Sequence, residues 1–205
     1  MSIVFYEFDL RTYSPKDFLP LLSAEEFRHL EKSLRYDVQH RFAIGRGLLR
    51  TILGQRLGIC PREVPIQIGT HGKPETSGIF FNLSHAEDRM VLALSSEGPV
   101  GIDIEKIDEH VWSEELEDFI FSIQEKQFLA NISVLERKNL FFLLWTMKEA
   151  HLKEQGSGLV TDLRSVDTQD NIPHRYWIRL PVALPFIAHL ATSYEVSNVS
   201  RCSIE

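Results

Sequence analysis

The sequence predicts an α+β protein built from two similar halves, and three observations support this. Each half has a helix-rich stretch followed by strand-like runs, short polar connections join those runs, and the halves meet near Gly98–Val100. Helices repeat apolar residues about every three or four positions, whereas strands alternate or concentrate them over roughly four to eight residues. We therefore predict two pseudo-symmetric α+β lobes, residues 1–100 and 101–205.

The composition is typical of a soluble globular protein. The 205 residues are 43% hydrophobic and carry a net charge of −7, which argues against bulk binding to nucleic acid or to a membrane surface. No apolar run approaches the roughly 18 residues that a membrane span needs. The N-terminus, MSIVFYEFDL, lacks the features of a signal peptide, and Cys60 and Cys202 show no disulfide or zinc spacing. We expect a cytoplasmic protein.

The N-terminal half is predicted to begin with a strand over residues 3–10. A helix is expected to start at Ser23, because Glu26 completes a capping box three residues later. A second helix is predicted from about Asp37 to Gly58, followed by a Pro-rich joint and a short strand, IQI. THGKPETSG is predicted to be a loop, and IFFNLS and MVLALS to be strands of a hairpin or meander.

The C-terminal half begins with a further strand, PVGIDIE, and turns helical from Ile107. Ser122 and Glu125 form a second capping box. A long helix is predicted from Leu135 to Gln155, and the runs RYWIRL and FIAHLATSYE are predicted to be late strands.

The end of the long helix, WTMKEAHLK, places charges beside an apolar face. At about 100° per residue, that face consists of Phe141, Phe142, Trp145 and Leu152. Glu149 falls in its middle, and Lys148 and Lys153 fall at its edges. A Glu–Lys pair four residues apart is usually a weak surface ion pair. A charge inside a packed face instead needs a partner or a metal, so we expect a partner elsewhere in the chain.

The strand GIDIE offers such a partner. Asp103 and Glu105 are two residues apart and therefore share one face of the strand. Carboxylate oxygens are the ligands that Mg²⁺ prefers, although a solvated acidic face is the alternative. Glu149, as a third carboxylate, favours the metal.

Three further motifs offer groups for anion binding. Ser84 and His85 end a strand-like run; they do not read as a hydrolase triad, because neighbours on a strand point to opposite faces and no G-x-S-x-G elbow is present. His85 is either a satisfied turn residue or a donor to a phosphate. Lys73 in HGKP is either an exposed turn lysine or a phosphate ligand. The run RFAIGRGLLR lacks a dinucleotide fingerprint. Of Arg41 and Arg50, Arg41 is the better anion ligand, because it lies near the helix start.

Taken together, these motifs resemble the Sfp-type family of 4′-phosphopantetheinyl transferases. The family signatures are G-(I/V)-D-x-E and W-(S/T/C)-x-K-E-x-x-x-K, roughly forty residues apart. GIDIE at 101–105 and WTMKEAHLK at 145–153 match them, and GKP at 72–74 and FNLSH at 81–85 stand in the family's order and spacing. The resemblance covers the chain from about Ser23 to Leu163.

The resemblance implies a 4′-phosphopantetheinyl transferase-like fold with the active site in the cleft between the two lobes. Coenzyme A, the co-substrate, would contact the N-terminal lobe through its nucleotide and phosphates. The C-terminal lobe would supply the carboxylates for Mg²⁺ and the catalytic helix. The implied reaction transfers 4′-phosphopantetheine from coenzyme A to a serine of an apo acyl- or peptidyl-carrier protein and releases adenosine 3′,5′-bisphosphate.

The resemblance also implies roles for individual residues. The Mg²⁺ ligands would be Asp103, Glu105 and Glu149. Glu149 would also be the base for the carrier serine, and Lys153 would neutralise or protonate the leaving phosphate. The residues that match, or lie near, coenzyme A-binding positions are Arg28, Arg41, Lys73, Ser84, His85, Asp103, Lys148 and Lys153. Where some members have a threonine against the phosphates, this chain has Phe42.

Two other functions use the same residues. A Mg²⁺-dependent nucleotide pyrophosphohydrolase acting on coenzyme A would need the same acids and lysines but no carrier protein. A non-catalytic coenzyme A- or carrier-binding module would not need a base, so the Glu149–Lys153 pair argues against it. The sequence leaves the carrier and its pathway open. By analogy, the chain length favours a monomeric pseudo-dimer.

Overall fold

The computed structural model describes residues 1–33, 35–108, 110–158, 161–169 and 174–204. The helices are α1 (Pro15–Phe18), α2 (Ala24–Lys32), α3 (Tyr36–Leu57), α4 (Glu114–Ile120), α5 (Ile123–Leu129) and α6 (Val134–Gln155). The strands are β1 (Ser2–Asp9), β2 (Gln67–Ile68), β3 (Pro74–Glu75), β4 (Phe80–Ala86), β5 (Arg89–Ser95), β6 (Gly101–Lys106), β7 (Tyr176–Arg179), β8 (Phe186–Thr192) and β9 (Asn198–Cys202). The predicted α+β class is confirmed.

Both predicted capping boxes are present. The Ser23 side chain accepts from the Glu26 N–H at the start of α2, and the Ser122 side chain accepts from the Glu125 N–H at the start of α5. The prediction that the chain turns helical from Ile107 is wrong, because α4 begins only at Glu114.

The two long helices, α3 and α6, each contain 22 residues and are followed by a glycine in the left-handed conformation. These glycines are Gly58 (φ 70°) and Gly156 (φ 69°). Residues with a Cβ rarely adopt this conformation, so a glycine there ends a helix at little steric cost. The predicted end of α6 is therefore confirmed, and its start lies one residue before Leu135.

The strands form two main sheets and a small ribbon. The first sheet has the order β4-β5-β1-β9, the second has the order β6-β8-β7, and β2 pairs with β3. The segment THGKPETSG, which was predicted to be a loop, therefore contains the short strand β3, whose Pro74 pairs with Ile68 of β2.

The last strand, β9, crosses back to the first sheet. It pairs in parallel with β1, from Ser2 opposite Asn198 to Tyr6 opposite Cys202. The predicted boundary between residues 100 and 101 therefore does not divide the strands into two separate sets, and the lobes themselves stay a prediction. NVSRC is short and largely polar, so its pattern alone did not indicate a strand.

Three apolar clusters hold these layers together. The first packs α3 on one face of the first sheet, the third surrounds α6, α4 and α5, and the second lies between the two sheets. In the second cluster, Ile3 and Phe5 of β1 are buried with Ile102 and Ile104 of β6. Because side chains alternate along a strand, this leaves the acidic face of β6 turned toward α6.

Among the described helices, none combines the length and the apolarity that a membrane crossing requires. Cys60 and Cys202 are both free thiols.

Gly101 lets α6 lie directly on β6, and we predict that Gly101→Ala is strongly destabilising. A Cβ at this position would lie 1.8 Å from the Ala150 carbonyl oxygen and 2.3 Å from the Glu154 backbone nitrogen. Backbone atoms cannot move aside as a side chain can, so we expect a loss of about 3 kcal/mol or more in urea unfolding. Gly45→Ala is the control, because its Cβ meets only the flexible Met90 side chain at 3.2 Å. Equal stability of the two variants would contradict this account.

Burial of His189 predicts that acid weakens the fold. His189 is 4% exposed, and burial, followed by nearby Arg179, lowers its pKa to about 4. The unfolded chain, with a histidine pKa of about 6.5, binds a proton that the folded chain excludes. The free energy of unfolding should therefore fall by about 3 kcal/mol through this group as pH drops from about 6.5 to 4. Urea titrations across this range should give a shallower pH dependence for His189→Asn. Exposed His110→Asn should keep the wild-type slope, and equal slopes in both variants would contradict the assignment.

Candidate active site

Three polar side chains meet where α6 crosses β4 and β6. The Lys153 ammonium lies 2.5 Å from Asp103 Oδ1 and donates to Ser84 Oγ at 2.8 Å. The Ser84 hydroxyl donates to the same Asp103 oxygen at 2.8 Å. Ser84 and Asp103 are buried, whereas the Lys153 side chain is 31% exposed. The cluster is therefore reached from the side of Lys153.

A hydrogen bond between the two sheets, from the backbone of β6 to a side chain of β4, explains this meeting. Asn82 of β4 accepts a hydrogen bond from the Ile102 N–H of β6 at 2.8 Å through its side-chain oxygen. Side chains recur on the same side of a strand every second residue, so Ser84 then lies beside Asp103. The sequence motifs FNLSH and GIDIE thus converge through Asn82, a residue that the motif analysis did not single out.

The three carboxylates predicted as metal ligands influence one another. Burial raises the pKa of Asp103, and the contacts with Lys153 and Ser84 oppose this. Burial, followed by the charge of Asp103 and then that of Glu149, raises the pKa of Glu105 to about 7. Burial and Asp103 likewise raise the pKa of Glu149. Added positive charge would relieve this repulsion.

These carboxylates fit a hard cation in their chemistry. Their oxygens are the donors that Mg²⁺ prefers, and within the described ranges Asp103 Oδ2 is buried without a hydrogen-bond partner. In the part of the chain that the structure describes, no group of three or more His, Cys, Asp or Glu side chains is arranged to hold a metal ion. Lys153 provides the positive charge beside Asp103 in this arrangement.

A groove made of three adjoining hollows borders the cluster. Their volumes are about 260, 190 and 390 Å³. Leu83 lines the first and second hollows, and Gly72 lines the second and third. Phe42 and Arg46 lie between the first and third, and Lys153 lines the second. The groove therefore leads from α2 and α3 to the Lys153 cluster.

Two of the predicted coenzyme A ligands, Arg41 and His85, line the first hollow. Arg41 pairs with Asp37 on its own helix at 2.8 Å. Burial lowers the pKa of His85, and the charges of Arg41 and Lys153 lower it further. The imidazole is therefore neutral at pH 7 and carries one N–H donor.

Lys73 lines the second hollow, but its ammonium is engaged with the backbone. It donates to the carbonyl oxygens of Lys153 at 2.6 Å, Glu154 at 3.3 Å and Val100 at 3.4 Å. A cation at a helix C-terminus is favourable, because the last carbonyls lack partners within the helix. Lys73 therefore fastens the GKP loop to the end of α6, and burial lowers its pKa.

Arg28 is not brought to the groove. Its Nε donates to the Ala24 carbonyl of its own helix at 3.2 Å, and the residue lines a separate hollow together with Phe27 and Arg62. His29, one residue later, lines the third hollow instead. The face of α2 that meets the groove is thus the one that carries His29, and the predicted coenzyme A contact for Arg28 finds no support in this placement.

Lys148 is also absent from the lining of the three hollows, so its placement does not support the coenzyme A contact predicted for it. Its side chain is fully buried and its ammonium lies 2.6 Å from Glu125 Oε2. The apolar pattern was misleading because α6 is buried on nearly all sides. Lys148 occupies a fully buried position, while Glu149 and Trp145 are only partly buried.

Arg46 is a groove residue that the motifs did not indicate. The Arg46 guanidinium lies 5.5 Å from the centre of the Phe42 ring, and the His29 ring lies 5.0 Å from Phe42. Among the described residues, Nη1 of Arg46 is buried without a hydrogen-bond partner. The available signal was the spacing of Phe42 and Arg46, which are four apart and share a helix face.

Comparisons with known proteins match the part of the chain that contains these elements. Residues 99–199, which contain β6 and α6, match the family model described as the 4′-phosphopantetheinyl transferase superfamily. The 4′-phosphopantetheinyl transferase HetI of Nostoc sp. is 33% identical over 150 residues, which cover 70% of this chain and 63% of the relative. The chain thus spans less than two thirds of the length of that relative.

Two transferases from Bacillus are also similar. The 4′-phosphopantetheinyl transferase Sfp of Bacillus subtilis is 28% identical over 167 residues, covering 80% of this chain and 73% of Sfp. The 4′-phosphopantetheinyl transferase psf-1 of Bacillus pumilus is 31% identical over 162 residues, covering 78% of this chain and 66% of psf-1. With both signature motifs meeting at the Lys153 cluster, the chain belongs to the 4′-phosphopantetheinyl transferase superfamily.

Proposed function

We propose that this protein transfers the 4′-phosphopantetheine group of coenzyme A to a serine of an apo acyl- or peptidyl-carrier protein, as an Sfp-type enzyme. The observation that carries the proposal is the contact of Lys153 with Asp103, beside two carboxyls whose pKa values are raised, at the end of a groove. Similarity to the 4′-phosphopantetheinyl transferases HetI and Sfp supports the same reaction.

The groove suits coenzyme A by charge and shape. Coenzyme A carries a purine ring, a pyrophosphate and a 3′-phosphate. The walls of the groove offer the aromatic face of Phe42 and the cationic side chains of Arg41, Arg46 and Lys153. Although the whole chain has a net charge of −7, the first and second hollows are lined by Arg41, Arg46, Lys73 and Lys153, which favours a polyanion there. Glu25 and Glu26 line the third hollow.

The proposal includes Mg²⁺, which Asp103, Glu105 and Glu149 would hold. When bound, Mg²⁺ would offset the charge of these carboxylates and of the substrate pyrophosphate. The raised pKa values of Glu105 and Glu149 and the unpartnered Asp103 Oδ2 support this assignment.

The chemical step follows from the same residues. The carrier serine oxygen bonds to the β-phosphorus of coenzyme A, and the bond from that phosphorus to the bridging oxygen breaks. Adenosine 3′,5′-bisphosphate leaves with the bridging oxygen. Glu149, whose charge lies close enough to interact with those of Asp103 and Lys153, would accept the serine proton as the general base. The Lys153 ammonium neutralises or protonates the leaving phosphate.

One assay separates this reaction from its alternatives. The protein would be incubated with coenzyme A, Mg²⁺ and a panel of apo carriers, with carrier mass and nucleotide release both measured. A carrier that gains the phosphopantetheine mass supports transfer. Release of adenosine 3′,5′-bisphosphate without a carrier would indicate a pyrophosphohydrolase, and binding without turnover would indicate a binding module. Fatty-acid, polyketide and nonribosomal-peptide carriers all belong in the panel.

We further propose a monomer that acts in the cytoplasm. Both walls of the groove come from one chain, with α3 and β4 on one side and α6 on the other, so a second copy is not needed to complete it. The free thiols of Cys60 and Cys202 fit a reducing compartment.

Glu149→Gln keeps the side-chain shape and removes the charge, and we predict that it lowers kcat by a factor of about 10² or more. The variant should fold normally, because Glu149 is only half-buried and makes no structural ion pair in the described contacts. Single-turnover rates with saturating coenzyme A and carrier would measure the effect. Glu136→Gln, exposed in the first turn of the same helix, is the control. A fully active Glu149→Gln enzyme would remove this residue from the mechanism.

His85→Ala is predicted to weaken coenzyme A binding. Binding to the folded state raises the melting temperature by linkage, so loss of a phosphate donor should shrink the shift caused by coenzyme A. His110→Ala, on the exposed surface, should retain the full shift. If His85→Ala also retains it, the first hollow does not hold the phosphates.

A further inference from the structure

A fully buried ion pair stands behind the candidate active site. Lys148 Nζ lies 2.6 Å from Glu125 Oε2, and both side chains are 0% exposed. The ammonium also donates to the carbonyl oxygens of Ile120 at 2.7 Å and Leu163 at 3.1 Å. Three acceptors match the three N–H groups of a lysine, so none is left for a ligand.

Glu125 is equally engaged. Its Oε2 accepts from the Ser122 N–H at 2.9 Å, and its Oε1 accepts from the Thr168 N–H at 2.9 Å and the Thr168 hydroxyl at 2.6 Å. Together the pair joins the end of α4, the start of α5, the middle of α6 and the returning segment of residues 161–169. We call this pair the hub. It connects α6 to α4, to α5 and to residues 161–169.

The hub and the sheet hold α6 from opposite sides. Thr146 faces β8, where its hydroxyl lies 2.6 Å from His189 Nδ1. At about 100° per residue, Lys148 points roughly 200° away from Thr146, whereas Lys153 lies within about 20° of it. The contacts of Lys148 therefore lie on the side of α6 opposite to Lys153 and Asp103.

Stability alone does not account for such a pair. Burying two charges costs desolvation energy, and well-packed apolar residues of similar volume often serve a fold equally well. What an ion pair with fixed hydrogen bonds adds is a defined orientation. A roll of α6 by about 10° would move an atom about 6 Å from the helix axis by roughly 1 Å, and such a displacement can cost about 10²-fold in rate.

We propose that Lys148 and Glu125 are positioning residues, which fix the rotation of α6 so that Glu149 and Lys153 meet the β6 carboxylates. The kinetic part of this inference rests on the proposed transferase function. The structural part does not, because the Lys153–Asp103 contact exists in the protein alone.

The test replaces both charges together. Lys148→Met alone leaves a buried carboxylate without its cation and is expected to fold poorly. The double variant Lys148→Met/Glu125→Gln removes both charges at similar volume. Its control is Arg137→Met/Glu117→Gln, which removes a second ion pair anchoring α6 eleven residues earlier, roughly 16 Å along the axis.

The double variant should fold, keep its coenzyme A-induced thermal shift and lose kcat by about 10-fold to 10²-fold, whereas the control should keep kcat. The Lys153 ammonium signal in ¹⁵N-lysine NMR, assigned by its loss in Lys153→Met, should shift in the double variant and not in the control. Wild-type kcat with an unchanged Lys153 signal would overturn the proposal. Failure of the double variant to fold would also overturn it, since the pair would then be required for stability.

If the wild-type protein transfers nothing to any carrier, the proposed function fails but this proposal is still decided. The NMR signal and the unfolding transition then provide the answer, because neither depends on turnover. A shifted Lys153 signal in a stably folded double variant supports the positioning role in that case as well.

Discussion

The contact between Lys153 and Asp103 is the interaction on which the arrangement of the site depends. It joins the last turn of α6 to the middle of β6, and it provides a cation for a carboxylate that is almost fully buried. A buried charge without a partner would be strongly destabilising, so the elements around it must keep the two groups together. Gly101 has no side chain and so lets α6 pack closely on β6. The hydrogen bond from the Ile102 N–H to Asn82 holds β4 beside β6.

The charges around this contact are sorted by position in the chain. Acidic groups whose pKa values are raised lie on β6 and α6, whereas the basic side chains of Arg41 and Arg46 lie on α3 across the groove. In the protein alone, Arg41 pairs with Asp37 and Arg46 pairs with Glu26, while Asp103 raises the pKa values of Glu105 and Glu149. Under the proposed function, a cation would bind on the acidic side and a polyanion on the basic side.

Sequence patterns predicted the features that depend on local geometry. Alternation in GIDIE placed Asp103 and Glu105 on one face, and the capping serines Ser23 and Ser122 marked two helix starts correctly. The burial of Lys148 was missed, because a helix packed on nearly all sides has no single apolar face for periodicity to detect. The groove position of Arg46 was missed because it depends on how α2, α3 and the GKP loop meet in space.

The parallel pairing of β9 with β1 has a consequence for cooperativity. β1 is an interior strand only because the C-terminal segment covers it, since β5 occupies its other side. Without β9, the N–H and C=O groups along one side of β1 would be an open edge, prone to pair with another chain. β1 and β9 therefore complete each other, so we expect the two halves to melt as one unit rather than as two independent domains.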